Sequence, residues 1–461
     1  MICTSLLSIN LRAKGGCLPS RWAGIGVSDA AQSRTGLNKR RCSAAAGKAS
    51  MAKRIVITGV GVLASNGTGK EAFWGALKQG RCGIKDVSLF DTGKMRTKKA
   101  GEIKDFDAAS FLGPKGLRLL DRSTRLVNVA AKLALDDAGF KVTEENTNDT
   151  GVVLGTTLGS IWSISEFDKT ALIEGPRYVN PALFPNTVIN SPASQISIRF
   201  VIKGFNTTIA TGFTSSLDAL KYACDFLQWD RAKAILVGGV EELCLQTYLG
   251  FYKLNFLAGS KEGTQEVLCP FDLRRNGIVF GEGSGMFLLE EYEDAKARGA
   301  HIYAEVKSIG YCFHPYRLNK YHRLGTGIRK ALRTAIEEAN LRPGDIDCIL
   351  ANANSTKEAD SIETEAIKDV FGRRADRVPV SAIKSHVGET FSASGAMQLA
   401  AGTGMIEEGF IPATLGYKEK DPACDLDYVT DGARQSKVKN VLVSCFGPSG
   451  AHNCVVLSKV K

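Results

Sequence analysis

Unbroken apolar runs alternate along this chain with stretches in which apolar positions recur every three or four residues. Residues 54–62 form a continuous β-rich apolar run bounded by glycines, the pattern of a strand buried on both faces. Residues 150–155, 232–239, 285–289, 302–309, 346–351, 441–445 and 453–458 read the same way. Helical spacing falls between them. In 117–138, Leu119, Leu126, Ala130 and Leu133 recur on one face, and 290–299, 326–340, 363–371 and 394–408 complete the helical set. The uncharged run 390–406 is 17 residues long and broken by Ser, Thr, Gln and Gly, so it predicts a buried helix and no membrane span. Strands alternating with helices predict an α/β fold with mainly parallel sheets covered on both faces.

One segment departs from pure packing logic. Residues 207–220, TTIATGFTSSLDAL, begin as a β-branched strand, break at Gly212 and enter a helix through Ser215 and Ser216. Such a turn aims one side chain at a pocket beside the positive end of a helix, where an anion is stabilised. A cysteine at that apex would have a lowered pKa and accept an acyl group. The apex residue is Phe213, and a phenyl ring cannot do this.

Six ordered segments carry a family resemblance: RIVITGVGV near residue 54, VLGTTLGS at 153–160, CPFDLRRNGIVFGEGSG at 269–285, IETEAIKDVFG at 362–372, SAIKSHVGE, and SASGA at 392–396. From Arg54 onward, over about 400 residues, the chain resembles the β-ketoacyl-acyl carrier protein synthases, the elongating condensing enzymes of the thiolase superfamily. The resemblance implies an α/β, thiolase-like fold of two similar halves in a five-layer α-β-α-β-α core, 52–300 and 301–461. It also implies a homodimer or heterodimer, an acyl carrier protein as partner, and neither cofactor nor metal.

The family works with a Cys-His-His triad. Phe213 falls on the cysteine, Asn352 (in LANANSTKEAD, 350–360, with Thr356 retained) on the first histidine, and Glu389 (in KSHVGE) on the second. The lysine of the site remains as Lys384. A family glutamate is replaced by Gln398, and in SCFGPSGAH (444–452) Phe446 is kept while the gate phenylalanine becomes Pro448. Five changes gather at one pocket while the scaffold motifs stay recognisable.

These residues oppose the ancestral chemistry. A carboxylate about 4 Å from a developing enolate costs roughly 4 kcal/mol at an effective dielectric near 20, about a thousandfold in rate, if both stay charged. Glu389 is instead expected to pair with Lys384, since a buried lysine left unpaired is costly. Asn352 retains an amide donor that could meet a thioester oxygen. Cys224 lies about three helical turns from Phe213 and out of reach, and Cys445, His386 and His452 read as scaffold residues.

Charge and cysteine content bound the remaining readings. The net charge is +11, but residues 1–50 hold eight Lys/Arg against Asp29, leaving only +4 on the body. A nucleic-acid-binding fold is therefore not indicated. Lys115, Arg118, Arg122 and Arg125 are candidates for a patch facing an acidic carrier protein, or a solvated helix face. The twelve cysteines lack C-x-x-C pairing and the histidines lack zinc spacing, which fits reduced thiols in a reducing compartment. Residues 1–50 are Ser, Ala, Gly and Arg-rich, either a disordered or misassigned extension before Met51 or a plastid transit segment. The expected location is the cytoplasm, or the plastid stroma in the second case.

Three functional readings follow. The first is a catalytically degenerate, chain-length-factor-like subunit of a fatty acid or polyketide condensing complex, paired with an intact synthase paralogue. The second is an acyl-binding homodimer without turnover. The third is an active acyltransferase using atypical groups.

Overall fold

The computed structural model describes residues 53–317 and 320–460; the expectation for residues 1–50 lies outside them. Strand β1 (Ile55–Ala64) is buried throughout. Two glycines in it let helix α1 (Arg122–Asp137) lie directly on the sheet, because a Cβ at Gly61 would fall 1.9 Å from the Ala130 carbonyl oxygen and one at Gly59 2.2 Å from that of Ala134. Helix α1 is shorter than its apolar pattern predicts. Asp121 caps it by accepting from the Thr124 N–H at 3.0 Å, so Leu119 precedes the helix and is exposed rather than core-facing.

Strands β2 (Thr150–Gly155), β3 (Asn206–Ile209), β4 (Ala234–Glu241) and β5 (Gly283–Glu291) follow, then β6 (Ala304–Phe313), β7 (Cys348–Leu350), β8 (Val380–Ser381), β9 (Asn440–Phe446) and β10 (Ala451–Ser458). They form one sheet in the order β8-β7-β9-β10-β6-β1-β5-β4-β2-β3, with Gly67–Thr68 pairing β1 as the eleventh strand. The path splits into two five-strand runs of the same plan. In β3-β2-β4 and β8-β7-β9 the pairing is parallel; the inner strands of each run are antiparallel. The runs meet at β1 and β6 through Val56↔Glu305 and Ile57↔Ala304.

The sheet is therefore mixed, and the expectation of mainly parallel pairing is corrected. The crossover rule applies where a helix links two strands, but β9 returns directly as β10 through the tight turn at Gly447–Gly450.

Five layers result. An outer core packs α1 and α3 (Ser191–Phe200) on β2, β4 and β5. A central core joins the inner faces of both runs through α4 (Ser215–Gln228) and α7 (Ser394–Glu408). A second outer core packs α5 (Thr326–Glu338) and α6 (Lys357–Phe371) on β7, β9 and β10. Strand β9 shows how the pattern works: Val441 and Val443 face the central core while Leu442 faces the outer one. Helix α7, read from the 390–406 run, is buried from Ser394 to Ile406.

Helix α2 (Ile161–Ile173) was not legible from periodicity, and the reason is informative. Of its residues only Ser163 is buried, while Leu172 and Ile173 are 85% and 74% exposed. Phe167 of α2 meets Phe184, centroids 6.1 Å apart, while its last two apolar residues stay open to solvent. Also among those residues, no helix is long and apolar enough to cross a membrane.

Candidate functional site

The elbow predicted at Gly212 is present. Gly212 has φ +88, a backbone state that favours glycine, and its carbonyl accepts from Ser215 Oγ at 2.6 Å and Thr157 Oγ1 at 3.1 Å. Helix α4 starts two residues past Phe213, with Asp218 in its first turn accepting from Thr214 Oγ1 at 2.8 Å. Phe213 is 7% exposed and meets the Phe391 ring edge to face, centroids 4.9 Å apart. Phe251 and Phe280 each lie 4.6 Å from Phe391, so four phenyl rings close the apex.

The second wall comes from α6. Glu363 and Asp360, one turn apart, reach back to the loop before the helix. Glu363 accepts from the Asn352 and Ala353 N–H groups at 2.9 Å each, and Asp360 from that of Asn354 at 3.0 Å. Burial pushes the Glu363 carboxyl up to about 7 and that of Asp360 up to about 6. The fixed loop aims Asn352 at the short helix Lys384–Val387. Its Oδ1 accepts from Lys384 Nζ at 2.8 Å and from the Phe446 N–H at 3.1 Å, while its buried Nδ2 has no partner.

Lys384 completes the link. Its Nζ lies 2.8 Å from Glu389 Oε2, with the two side chains 2% and 1% exposed. A separation beyond about 6 Å would have denied the expected ion pair. Glu389 is saturated: Oε2 also accepts from Asn354 Nδ2 at 3.1 Å, and Oε1 from Ser394 Oγ at 2.5 Å and the Phe391 N–H at 3.1 Å. A circuit runs from Phe213 through Phe391, Glu389, Lys384, Asn352 and Phe446 to Cys445, whose thiol donates to the Phe213 carbonyl at 3.4 Å.

The other candidate residues sit around this circuit. Gln398 bonds to backbone, its Nε2 donating to the carbonyls of Ala351 and Ser444 at 2.9 Å. Thr356 Oγ1 donates to Asn354 Oδ1 at 2.9 Å and lines a separate cavity of about 660 Å³ with Tyr321 and Asn276. Pro448 is buried in the turn between β9 and β10, next to Gly447, where a Cβ would fall 2.8 Å from that of Phe213.

Neither Cys445 nor Cys224 is activated as a thiolate. Burial pushes the Cys445 thiol up to about 12, and that of Cys224 likewise to about 12. His386 is buried against the Ala413 carbonyl at 2.7 Å, and burial lowers His452 to about 4, so both stay neutral. The basic patch is corrected. Lys115 and Arg118 are exposed, but Arg122 turns inward onto Glu282 at 2.6 Å and Arg125 onto the Leu117 carbonyl at 3.1 Å. Helix capping at Asp121 places both of these arginines on the first turn of α1, facing the body.

Sequence reasoning missed Phe251, Phe391, Asn354 and Ser394. The last two had a usable signal: a buried carboxylate at 389 needs donors for all its lone pairs, and both lie within the motif segments already singled out.

Comparison with known proteins identifies the family of this fold. The description "Beta-ketoacyl synthase, N-terminal domain" matches residues 52–295 and "Beta-ketoacyl synthase, C-terminal domain" residues 303–418. The 3-oxoacyl-acyl-carrier-protein synthase 2 of Coxiella burnetii is 32% identical over 88% of this chain and 99% of its own. The tetracenomycin polyketide synthase ketoacyl synthase alpha subunit of Streptomyces glaucescens is 35% identical over 89% and 98%. Among solved structures, the ishigamide ketosynthase/chain length factor superposes with a TM-score of 0.83 at 30% identity, covering 89% of this chain and all of its own. A type II polyketide synthase acyl carrier protein in complex with its ketosynthase bound to the hexaketide gives 0.81 at 27%, covering 89% and all. Two matched domains in their proper order, on a five-layer thiolase-like core, establish that this chain belongs to the β-ketoacyl synthase family.

Proposed function

We propose that this chain is a non-condensing, chain-length-factor-like subunit of a fatty acid or polyketide condensing complex, paired with an intact synthase paralogue and served by an acyl carrier protein. One observation carries the reading: the elbow that should present a nucleophile presents Phe213, locked among three other phenyl rings. The Lys384–Glu389 pair supports it, because a carboxylate already spent on four donors has no proton to give to a developing enolate.

The outer face supports a partner. Strand β3 ends the sheet with a free edge, and on and just after helix α3, which packs on it, Ile198 and Val201 are 68% and 58% exposed. Apolar side chains gathered next to an unpaired strand suit a second chain of the same fold. The ishigamide structure pairs a ketosynthase with a chain length factor, which fits such an assembly. We place the boundary between the two halves at residue 300, and the working compartment in the cytoplasm, or the plastid stroma if residues 1–50 direct transport.

The curated relatives named above favour a second reading, an active synthase with atypical groups. One experiment separates them. The pure protein, with and without a coexpressed Cys-His-His ketosynthase, is supplied with acyl donor and malonyl-carrier protein. The proposal expects no condensation by the chain alone and a stable complex whose product length depends on it. Turnover by the isolated chain would reject the proposal, and a chain that neither condenses nor binds a paralogue would leave the acyl-binding homodimer.

A further inference from the structure

Residues 306–336 hold seven Lys or Arg and neither Asp nor Glu. They run from strand β6 through the loop 314–325 into helix α5. Two of the seven are engaged locally, Lys307 by Glu305 and Arg329 by Asp369. Arg317, Lys320, Arg323, Lys330 and Arg333 are exposed, and among the described residues none of them pairs with a carboxylate. The cavity of about 660 Å³ beside Lys320 adds Lys261 and Lys357 against Glu358, so the field at this face stays positive.

Charge alone would describe a solvated face, but the same segment carries apolar side chains that the fold leaves uncovered. Phe313 and Leu324 are each 65% exposed and Tyr316 50%. The segment is anchored through its histidines. The His314 N–H donates to the Gly450 carbonyl at 2.8 Å, and the rings of His314 and His322 meet 4.4 Å apart with both Nδ1 atoms buried. The Tyr316 ring lies edge to face on His322 at 5.0 Å. Histidines turned inward leave the phenyl, phenol and leucyl tips outside.

The mixture selects the partner. An acidic protein would be drawn by the cations without use for these tips, and a single nucleic-acid strand would need rings lining a channel, whereas these project from the surface. Aromatic and leucyl tips flanked by Arg and Lys match the boundary layer of a bilayer, where rings settle at headgroup depth and cations meet anionic phosphate.

We propose that this face docks on a bilayer of anionic phospholipid, with Phe313, Tyr316 and Leu324 entering the headgroup layer and Arg317, Lys320 and Arg323 meeting lipid phosphates. The surface goes beyond the subunit role: β3 and α3 take no part in it, and it requires neither condensation nor a paralogue.

The full-length protein is floated with vesicles of phosphatidylglycerol mixed with phosphatidylcholine, and with vesicles of phosphatidylcholine alone. Binding is expected to the first and not to the second. Phe313→Ser with Leu324→Ser should weaken it about tenfold, and Arg317→Ser with Arg323→Ser about 25-fold, or about fivefold per cation. All four side chains are exposed, so thermal midpoints should not move. Residues 1–50, themselves strongly basic, are the same in every variant. Binding that both double variants leave unchanged would trace to that segment and overturn the proposal. Loss in the arginine pair with full binding in the Phe313/Leu324 pair would mark a face for an acidic protein and overturn it too, as would equal binding to neutral vesicles. Because flotation is read on the isolated chain, its failure leaves the partner experiment untouched.

Discussion

The rings of Phe213 and Phe391 meet at 69°, centroids 4.9 Å apart, and Phe391 holds this position from a backbone with φ +49. A bulky residue in the left-handed region is strained, and surrounding contacts must hold it there. The Phe391 N–H bond to Glu389 Oε1 at 3.1 Å and the three neighbouring rings do so.

Phe213→Ala should therefore lower stability by about 3–5 kcal/mol, the range for truncating a buried phenyl ring. Urea titration followed by circular dichroism checks it. Phe213→Cys should place a thiol at the start of α4 yet give no condensation, because Asn352 and Glu389 supply no histidine chemistry. Product formation by that single variant would refute the assigned inhibitory role of Glu389.

Lys384→Met strands a buried carboxylate and should cost about 3–5 kcal/mol, whereas Lys384→Met with Glu389→Gln should recover part of that loss, because the amide is uncharged and its oxygen still accepts from Ser394 and the Phe391 N–H. The comparison is a double-mutant cycle in urea. Equal losses in the single and double variants would show that the pair is not coupled.

Stability should fall as pH rises from about 6.5 to 8. Burial pushes Glu241 and Glu363 up to about 7 and Glu242 up to about 8, against an unfolded value near 4.5. In that window the folded chain keeps protons that the unfolded chain has released, so alkali favours unfolding. His452, depressed to about 4, and His386 act in the opposite sense, but only below the ordinary histidine value of 6.5. Thermal midpoints across the window should decline, and Glu242→Gln should flatten part of the slope. A midpoint that climbs with pH would contradict the assignment.

Leu172→Asp combined with Ile198→Asp should abolish association with a paralogous subunit while leaving the thermal midpoint nearly unchanged, since both side chains are exposed, at 85% and 68%. Light scattering on the coexpressed pair reads the outcome. Undiminished complex would move the interface elsewhere.

Much of this was legible in advance because the strong signals were local. Strand β2 and helix α7 lie within the apolar runs that announced them, and Gly212 marked the elbow. What escaped depended on distant contacts. Helix α2 hides its face from periodicity because only Ser163 of it is fully buried, and Arg122 could not be placed until Glu282, far along the chain, was seen to receive it. The aromatic closure was equally hidden, since Phe251, Phe280 and Phe391 come from three separate segments.

The saturation of Glu389 bears on what position 389 can hold. Lys384, Asn354, Ser394 and the Phe391 backbone all converge on that carboxylate, so a lone change to histidine would abandon most of four donors at once in a dry interior. A different side chain settles there only when its neighbours are replaced with it.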